Sequence, residues 1–230
     1  MRDLNLSYRR ENTRDKNVPK VVAFDIAEIE NHFFDSICMV RKQFETAEYL
    51  CKNGKQGEAE NIWRSQIVFL ESAFDFFMHE VTKYGLMRIF LGEWERTTRY
   101  RNIDVTMDVV ERALLSDEDT EWFLAYINQK YAGDTLVSAS SVKQQLNLLG
   151  IRYNEVADGA FYDLNSEERT KDKLVRRLNE LYSRRNVIAH QTDRNHYNAR
   201  QKEINKELVE EFIVDIEKIV RAIITCICEK

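Results

Sequence analysis

Apolar residues recur along this chain at helical spacing, in four long stretches separated by polar breaks. The first stretch, about residues 22 to 52, carries an apolar stripe made of Phe24, Ile26, Ile29, Phe33, Ile37, Val40, Phe44 and Leu50. Such a stripe predicts a helix with one face buried in a core. The second stretch, about 58 to 91, is apolar on nearly every side. We therefore predict that it forms the central helix of the fold, buried on several faces.

Two more long helices are predicted in the C-terminal part of the chain. One runs from about 166 to 190 and opens with Ser166 followed by acidic residues, which is a common start signal for a helix. The other runs from about 201 to 228 and carries an apolar stripe made of Leu208, Phe212, Ile216, Ile219, Ile223 and Ile227. A polar stretch separates these two helices.

The predicted fold class is all-α, a four-helix bundle with an inserted group of short helices at 93–165. Residues 1–20 are polar and end near Pro19, so we predict a flexible N-terminal arm followed by a single helical domain over 21–230. Only seven glycines and one proline occur in 230 residues. Because these residues interrupt helices, their scarcity favours long helices joined by short connections.

Composition excludes several classes of protein. No apolar run approaches the roughly 18 residues that a membrane span needs, and the N-terminal residues lack the apolar core of a secretory signal. We therefore expect a soluble, cytoplasmic protein. The four cysteines lack the spacing of a zinc site and are expected to be small buried hydrophobic residues. The acidic run at 117–119 is more typical of a helix start than of a metal site.

Charge is distributed unevenly along the chain. The net charge is −5, yet residues 169–202 contain ten Lys or Arg against three acidic residues, a local charge of +7. An overall acidic protein is not coated in basic surface for bulk nucleic-acid binding. The basic segment has two interpretations at this stage, a solvated helix face or a site for an anionic ligand.

The third predicted helix contains two polar residues where its apolar stripe should continue. Arg185 takes the missing place in one apolar series, which consists of Leu174, Leu178, Leu181 and Ile188. Asn186 takes the missing place in the adjacent series, which consists of Val175, Tyr182 and Ala189. A cation in such a seam is costly unless it has a partner or faces an anion.

Glu71 interrupts the apolar surface of the central helix in the same way. A buried carboxylate needs a donor, and Arg185 or Arg184 is the natural candidate. Such a pair could simply fix the packing of two helices. It could also support a functional arginine.

His190 follows these polar residues at the predicted end of the helix. Asn186 and His190 are four residues apart and share a helix face, whereas Arg185 and His190 lie about 140° apart around the helix. One helix therefore does not aim Arg185 and His190 at the same atom. Two copies that meet across a two-fold axis would bring one of each to a shared cleft.

The segment "RRNVIAH" at 184–190 resembles the signature of the HEPN superfamily, whose R-N-x-x-A-H form is matched by Arg185, Asn186, Ala189 and His190. "FLESAFDFFMHEV", which contains Glu71, is similar to the second helix of the RiboL-PSP-type branch. The resemblance covers 20–92 and 166–229. No motif is placed in 93–165.

The resemblance implies a metal-independent endoribonuclease that forms a homodimer, has no cofactor, and acts in a toxin–antitoxin or antiviral defence system. His190 would be a general acid or base, Arg185 would bind the scissile phosphate, and Asn186 would orient both. Glu71, and Arg184 beside the motif, would be supporting residues. RNA is the expected substrate, and an antitoxin or a defence complex is the expected partner.

Two other interpretations stay open from the sequence. The chain could be a catalytically silent HEPN module that binds RNA, a nucleotide or a partner protein. It could also be an unrelated helical scaffold in which Glu71 and Arg185 only pair. Thr192 stands where some nucleotidyltransferase-paired HEPN toxins have a tyrosine that accepts AMP, so the resemblance does not extend to that regulation.

Overall fold

The computed structural model describes residues 21–115 and 120–230, and within these ranges the chain is helical with no strand. This confirms the predicted all-α class. The predicted arm at 1–20 and the acidic run at 117–119 lie outside the described residues. The helices are α1 (Ile26–Lys52), α2 (Gln56–Phe90), α3 (Thr98–Arg101), α4 (Met107–Leu115), α5 (Glu121–Tyr131), α6 (Ala139–Leu149), α7 (Tyr153–Phe161), α8 (Thr170–Gln191) and α9 (Lys206–Cys228).

Helices α1 and α2 form an antiparallel pair at the centre of the molecule. A capping box starts α1, because Asp25 accepts a hydrogen bond from the Glu28 amide at 2.8 Å and Glu28 accepts one from the Asp25 amide at 2.9 Å. Helix α2 also packs against α5, α6, α8 and α9. Its Phe74, Phe77 and Met78 are completely buried, which confirms the predicted central position.

The ends of α8 and α9 differ from the sequence prediction. Helix α8 begins at Thr170 rather than near 166, because Ser166 accepts a hydrogen bond from the Glu168 amide in a separate turn. Helix α9 begins at Lys206 rather than near 201, because Asn205 caps it by accepting a hydrogen bond from the Leu208 amide at 2.9 Å.

The short helices belong to the same hydrophobic core as the long ones. Helix α7 packs against α8 and α9, and α6 packs against α2. The latter contact is close, since a Cβ at Gly85 would lie 2.7 Å from Cδ2 of Leu149. The short helices α6 and α7 therefore pack against α8 as well as against the other long helices.

The cysteines do not behave as predicted. Cys38 and Cys228 are exposed, and Cys51 and Cys226 are only partly buried. All four are free thiols, and the prediction of buried hydrophobic residues is wrong because they lie off the buried faces of α1 and α9.

Two features are absent from the described residues. No helix among residues 21–115 and 120–230 combines the length and apolar character that a bilayer crossing requires. The same ranges contain no cluster of three His, Cys, Asp or Glu side chains that could hold a metal ion.

Candidate functional site

The last two turns of α8 carry Arg185, Asn186 and His190 beside the middle of α2. The Arg185 Nε lies 3.1 Å from Oε2 of Glu71 on α2, and the Arg185 Nη1 donates a hydrogen bond to Oδ1 of Asn186 at 3.1 Å. The Arg185 side chain is 29% exposed, whereas that of Glu71 is 2% exposed. The guanidinium therefore bridges the buried carboxylate and the molecular surface.

The buried position of Glu71 disfavours the ionised form of its carboxyl group. Burial raises the pKa of its carboxyl group, the positive charge of Arg185 opposes that increase, and the negative charge of Asp75 adds to it. Its Oε1 atom is buried and has no hydrogen-bond partner among the described residues. The ionised form of Glu71 thus depends on Arg185 for its stabilisation.

His190 lies in the last turn of α8 and is exposed. The structure places it at the surface on the same helix end as Arg185 and on the face that carries Asn186. The helix geometry still separates Arg185 and His190 by about 140°. The structure thus brings Glu71, Arg185 and Asn186 into contact within one chain and presents His190 to solvent beside them.

Arg184 pairs with a different carboxylate. Its Nη2 lies 2.8 Å from Oδ2 of Asp193 and donates to the carbonyl oxygen of Glu203 at 2.9 Å. The candidate pairing of Glu71 with Arg184 is therefore wrong, and Arg185 is the partner of Glu71. Arg184 stands one place along the helix from Arg185, so it faces the polar segment that follows α8 rather than α2.

Sequence reasoning missed two residues that fix this region, Arg64 and Asp193. The Arg64 Nε donates to Oδ2 of Asp193 at 3.0 Å, and the Arg64 Nη2 donates to the carbonyl oxygen of Lys202 at 3.0 Å. Arg64 is 5% exposed and Asp193 is fully buried. We call Asp193 with Arg64 and Arg184 the Asp193 clamp. The criterion that singled out Arg185, a charged residue within an apolar helix surface, also applies to Arg64 and could have identified it.

Residues 192–205, which we call the motif loop, connect α8 to α9. Thr192 and Asp193 have left-handed backbones, with φ of 49° and 59°, and turn the chain back toward α2. A single antiparallel bridge joins Arg194 to Gln201. Tyr197 lies at the tip of the loop and is 98% exposed.

The basic segment is mostly neutralised along α8. Its paired arginines include Arg169 with Asp172, Arg176 with Glu168 and Glu180, and Arg177 with Asp215, Glu180 and Glu211. In the motif loop, Arg200 and Lys202 are exposed, and neither has an ion pair with another described residue. Among the described residues, positive charge without an ion pair is thus found in the motif loop, at Arg200 and Lys202, and also at Lys171 near the start of α8.

An apolar groove adjoins the motif. Phe69 of α2 lines it together with Ile188 and Thr192 at the end of α8. Phe69 is 52% exposed, and the neighbouring Phe76 and Met39 are 45% and 61% exposed. Exposed apolar side chains that are grouped in this way are typical of a surface that binds another protein.

A protein-family model described as RiboL-PSP-HEPN matches residues 114–229, which is half of the chain. The chain therefore belongs to the RiboL-PSP-type HEPN family, and the resemblance based on the motif is confirmed. The match contains all of α8 and α9 and also 114–165, where the sequence suggested no motif, but it does not extend to the Glu71 helix. No curated protein and no solved structure gives a significant match. Membership indicates a nuclease-like or RNA-binding module.

Proposed function

We propose that this protein is a metal-independent endoribonuclease of a toxin or antiviral defence system, which cleaves RNA at a composite site across a homodimer. The observation that carries the proposal is the fixed position of Arg185. Its guanidinium is held by Glu71 and Asn186 at the surface, about one and a half helical turns from the exposed His190. Arginine in a fixed orientation suits the bidentate recognition of a phosphate.

The chemistry needs only groups that this site offers. RNA supplies its own nucleophile, because the 2′-oxygen can attack the adjacent phosphorus while the bond to the 5′-oxygen breaks. A histidine accepts the proton of the 2′-hydroxyl or donates one to the leaving 5′-oxygen. Arg185 stabilises the extra negative charge on the phosphorane, and Asn186 orients both groups. The products are a 2′,3′-cyclic phosphate and a 5′-hydroxyl, so DNA is not cut.

A homodimer supplies what one chain lacks. Because Arg185 and His190 diverge around α8, a second motif is needed to place both groups at one phosphate. The apolar groove next to the motif, with the exposed Phe69, offers surface for such a contact. An antitoxin or a larger defence complex is the partner we expect to control the activity.

The test is incubation of the purified protein with mixed RNA in EDTA, beside Arg185→Ala and His190→Ala variants. We expect cyclic-phosphate products from the wild type and a loss of at least about 100-fold in rate from either variant. Arg169→Ala removes an exposed arginine at the opposite end of α8, and it is the matched control that should keep full activity.

Thermal unfolding of all four proteins shows whether the variants remain folded. Intact RNA in every sample, from folded and dimeric protein, would contradict the nuclease proposal. In that case an RNA-binding measurement on the wild type tests the remaining interpretation of a silent binding module.

A further inference from the structure

The motif loop presents an aromatic side chain to solvent immediately after the motif. Tyr197 is 98% exposed, more than any other large hydrophobic residue of the described chain. Its backbone amide donates to Oδ1 of Asn195 at 2.8 Å. The ring of Tyr197 contributes no packing to the fold, whereas its backbone is fixed.

The loop holds its shape through polar contacts that do not involve the Tyr197 ring. Asn195 donates its amide to the carbonyl oxygen of Arg200 at 2.9 Å, and Arg194 Nη1 donates to the carbonyl oxygen of Ala199 at 2.7 Å. At its base, the buried Asp193 clamp fixes the loop to α2 and α8. Because the backbone beneath the exposed ring is fixed, a ligand that binds the ring does not have to order the loop, which lowers the entropic cost of binding.

The charge around the ring favours an anionic ligand. Arg200 and Lys202 are exposed on the same loop, and no ion pair joins either to another described residue; the exposed Glu203 at the end of the loop offsets one of these charges. Since the whole chain carries −5, this local positive charge is not an average property of its surface. An exposed aromatic ring on the same short loop as exposed cations is a combination that suits single-stranded nucleic acid, through base stacking and phosphate contacts.

We infer that the motif loop is a base-binding subsite for single-stranded RNA. Tyr197 stacks on an unpaired base, and Arg200 and Lys202 contact the phosphates next to it. The inference rests on the proposed function, in which RNA is the substrate. It adds that the substrate must be unpaired beside the cleaved bond, because a base within a duplex hides its face from the ring.

The experiment measures binding of a fluorescent single-stranded RNA and of the same sequence as a duplex. All proteins carry His190→Ala so that the RNA stays intact. We expect Tyr197→Ala to raise the Kd for the single strand about 10-fold and to leave the duplex unchanged, whereas Tyr197→Phe keeps the wild-type Kd. Tyr162→Ala is the control, because Tyr162 is 70% exposed at the end of α7, beside the opposite end of α8.

Abasic nucleotides placed one at a time along the RNA locate the stacked base. At that position the Tyr197→Ala variant and its parent should bind the RNA equally well, because the contact is already lost. An unchanged Kd for Tyr197→Ala with the single strand, or an equal loss with the duplex, would overturn the subsite.

Metal-free cleavage by the wild type separates this inference from the proposed function. If the wild type cleaves RNA and Tyr197→Ala binds normally, the subsite is wrong and the nuclease stands. If binding depends on Tyr197 and no RNA is cleaved, the subsite stands and the nuclease is wrong. If the wild type neither binds nor cleaves RNA, both are wrong.

Discussion

Glu71 and Arg185 each interrupt an apolar helix surface, and the structure shows that they do so opposite one another. The distance of 3.1 Å between Nε and Oε2 makes each the main compensation for the other. Desolvation is nevertheless the largest influence on Glu71 and raises its pKa. The pair is thus better explained as a device that positions a guanidinium than as a source of stability.

Replacing Glu71 by Gln should change how stability depends on pH. Because the pKa of Glu71 is raised above its ordinary value of 4.5, the folded protein holds this proton more tightly than the unfolded chain. The protonated carboxyl group makes its whole contribution to stability below pH 4.5, the ordinary pKa. That contribution is lost as the pH rises through the pKa of Glu71 in the folded protein. The Glu71→Gln variant has no carboxyl group at this position, so its stability should not decrease in this way as the pH rises.

Urea unfolding between pH 4 and pH 8 measures the effect. The free energy of unfolding of Glu71→Gln, relative to wild type, should increase with pH across this window. Glu45→Gln removes one exposed carboxylate from α1 and serves as the control. Parallel pH curves for wild type and Glu71→Gln would contradict the assigned effect of burial.

At the scale of elements, the Asp193 clamp ties α2, α8 and the motif loop together. Asp193 contacts Arg64 of α2 and Arg184 of α8, and both arginines also donate to carbonyl oxygens at the end of the loop. The end of the motif helix and the start of the loop are therefore held by one buried carboxylate. Asp193 has a left-handed backbone conformation, which asparagine also adopts readily.

Asp193→Asn should destabilise the fold strongly. The substitution keeps the shape and the backbone preference but removes the carboxylate that the buried Arg64 and the partly buried Arg184 share. Among the described residues, Arg64 then keeps only the carboxylate of Glu60, at 3.5 Å, and Arg184 loses its carboxylate partner. Breaking a buried ion pair from one side costs about 3 to 5 kcal/mol. Urea denaturation measures the change, with Asp35→Asn on the exposed face of α1 as the control. A change below about 1 kcal/mol would show that the clamp is not a structural support.

At the scale of the whole molecule, the divergence of Arg185 and His190 makes the proposed dimer testable by complementation. Arg185→Ala and His190→Ala should each be inactive alone. When the two variants exchange subunits, half of the dimers are mixed. A two-fold dimer has two composite centres, each formed by Arg185 of one subunit and His190 of the other, and a mixed dimer keeps one of the two intact. About a quarter of wild-type activity should therefore return.

Mixing either variant with the Arg185→Ala/His190→Ala double variant is the matched control and should restore nothing. Cleavage of a labelled RNA after subunit exchange is the measurement. Continued inactivity of the complementing mixture, with mixed dimers demonstrated by tagged subunits, would place both groups of each centre in one chain.

Much of this protein follows from local sequence pattern. The stripes of α1 and α9 and the all-round apolar character of α2 predicted helices that the structure contains, because helix periodicity is a local property. The interruption of the α8 stripe at Arg185 and Asn186 marked the motif that the family match contains. The positions of the helix ends were harder to predict, as Ser166 shows, because several nearby side chains can cap the same helix.

Tertiary structure alone decided which charged groups meet. Arg64 and Asp193 are 129 residues apart, and no local pattern along the chain predicts that they pair. The choice of Arg185 over Arg184 as the partner of Glu71 depends on the rotation of α8 against α2. The exposure of Tyr197 depends on the path of the motif loop. Each of these outcomes is set by packing between distant segments, which a pattern of neighbours along the chain does not contain.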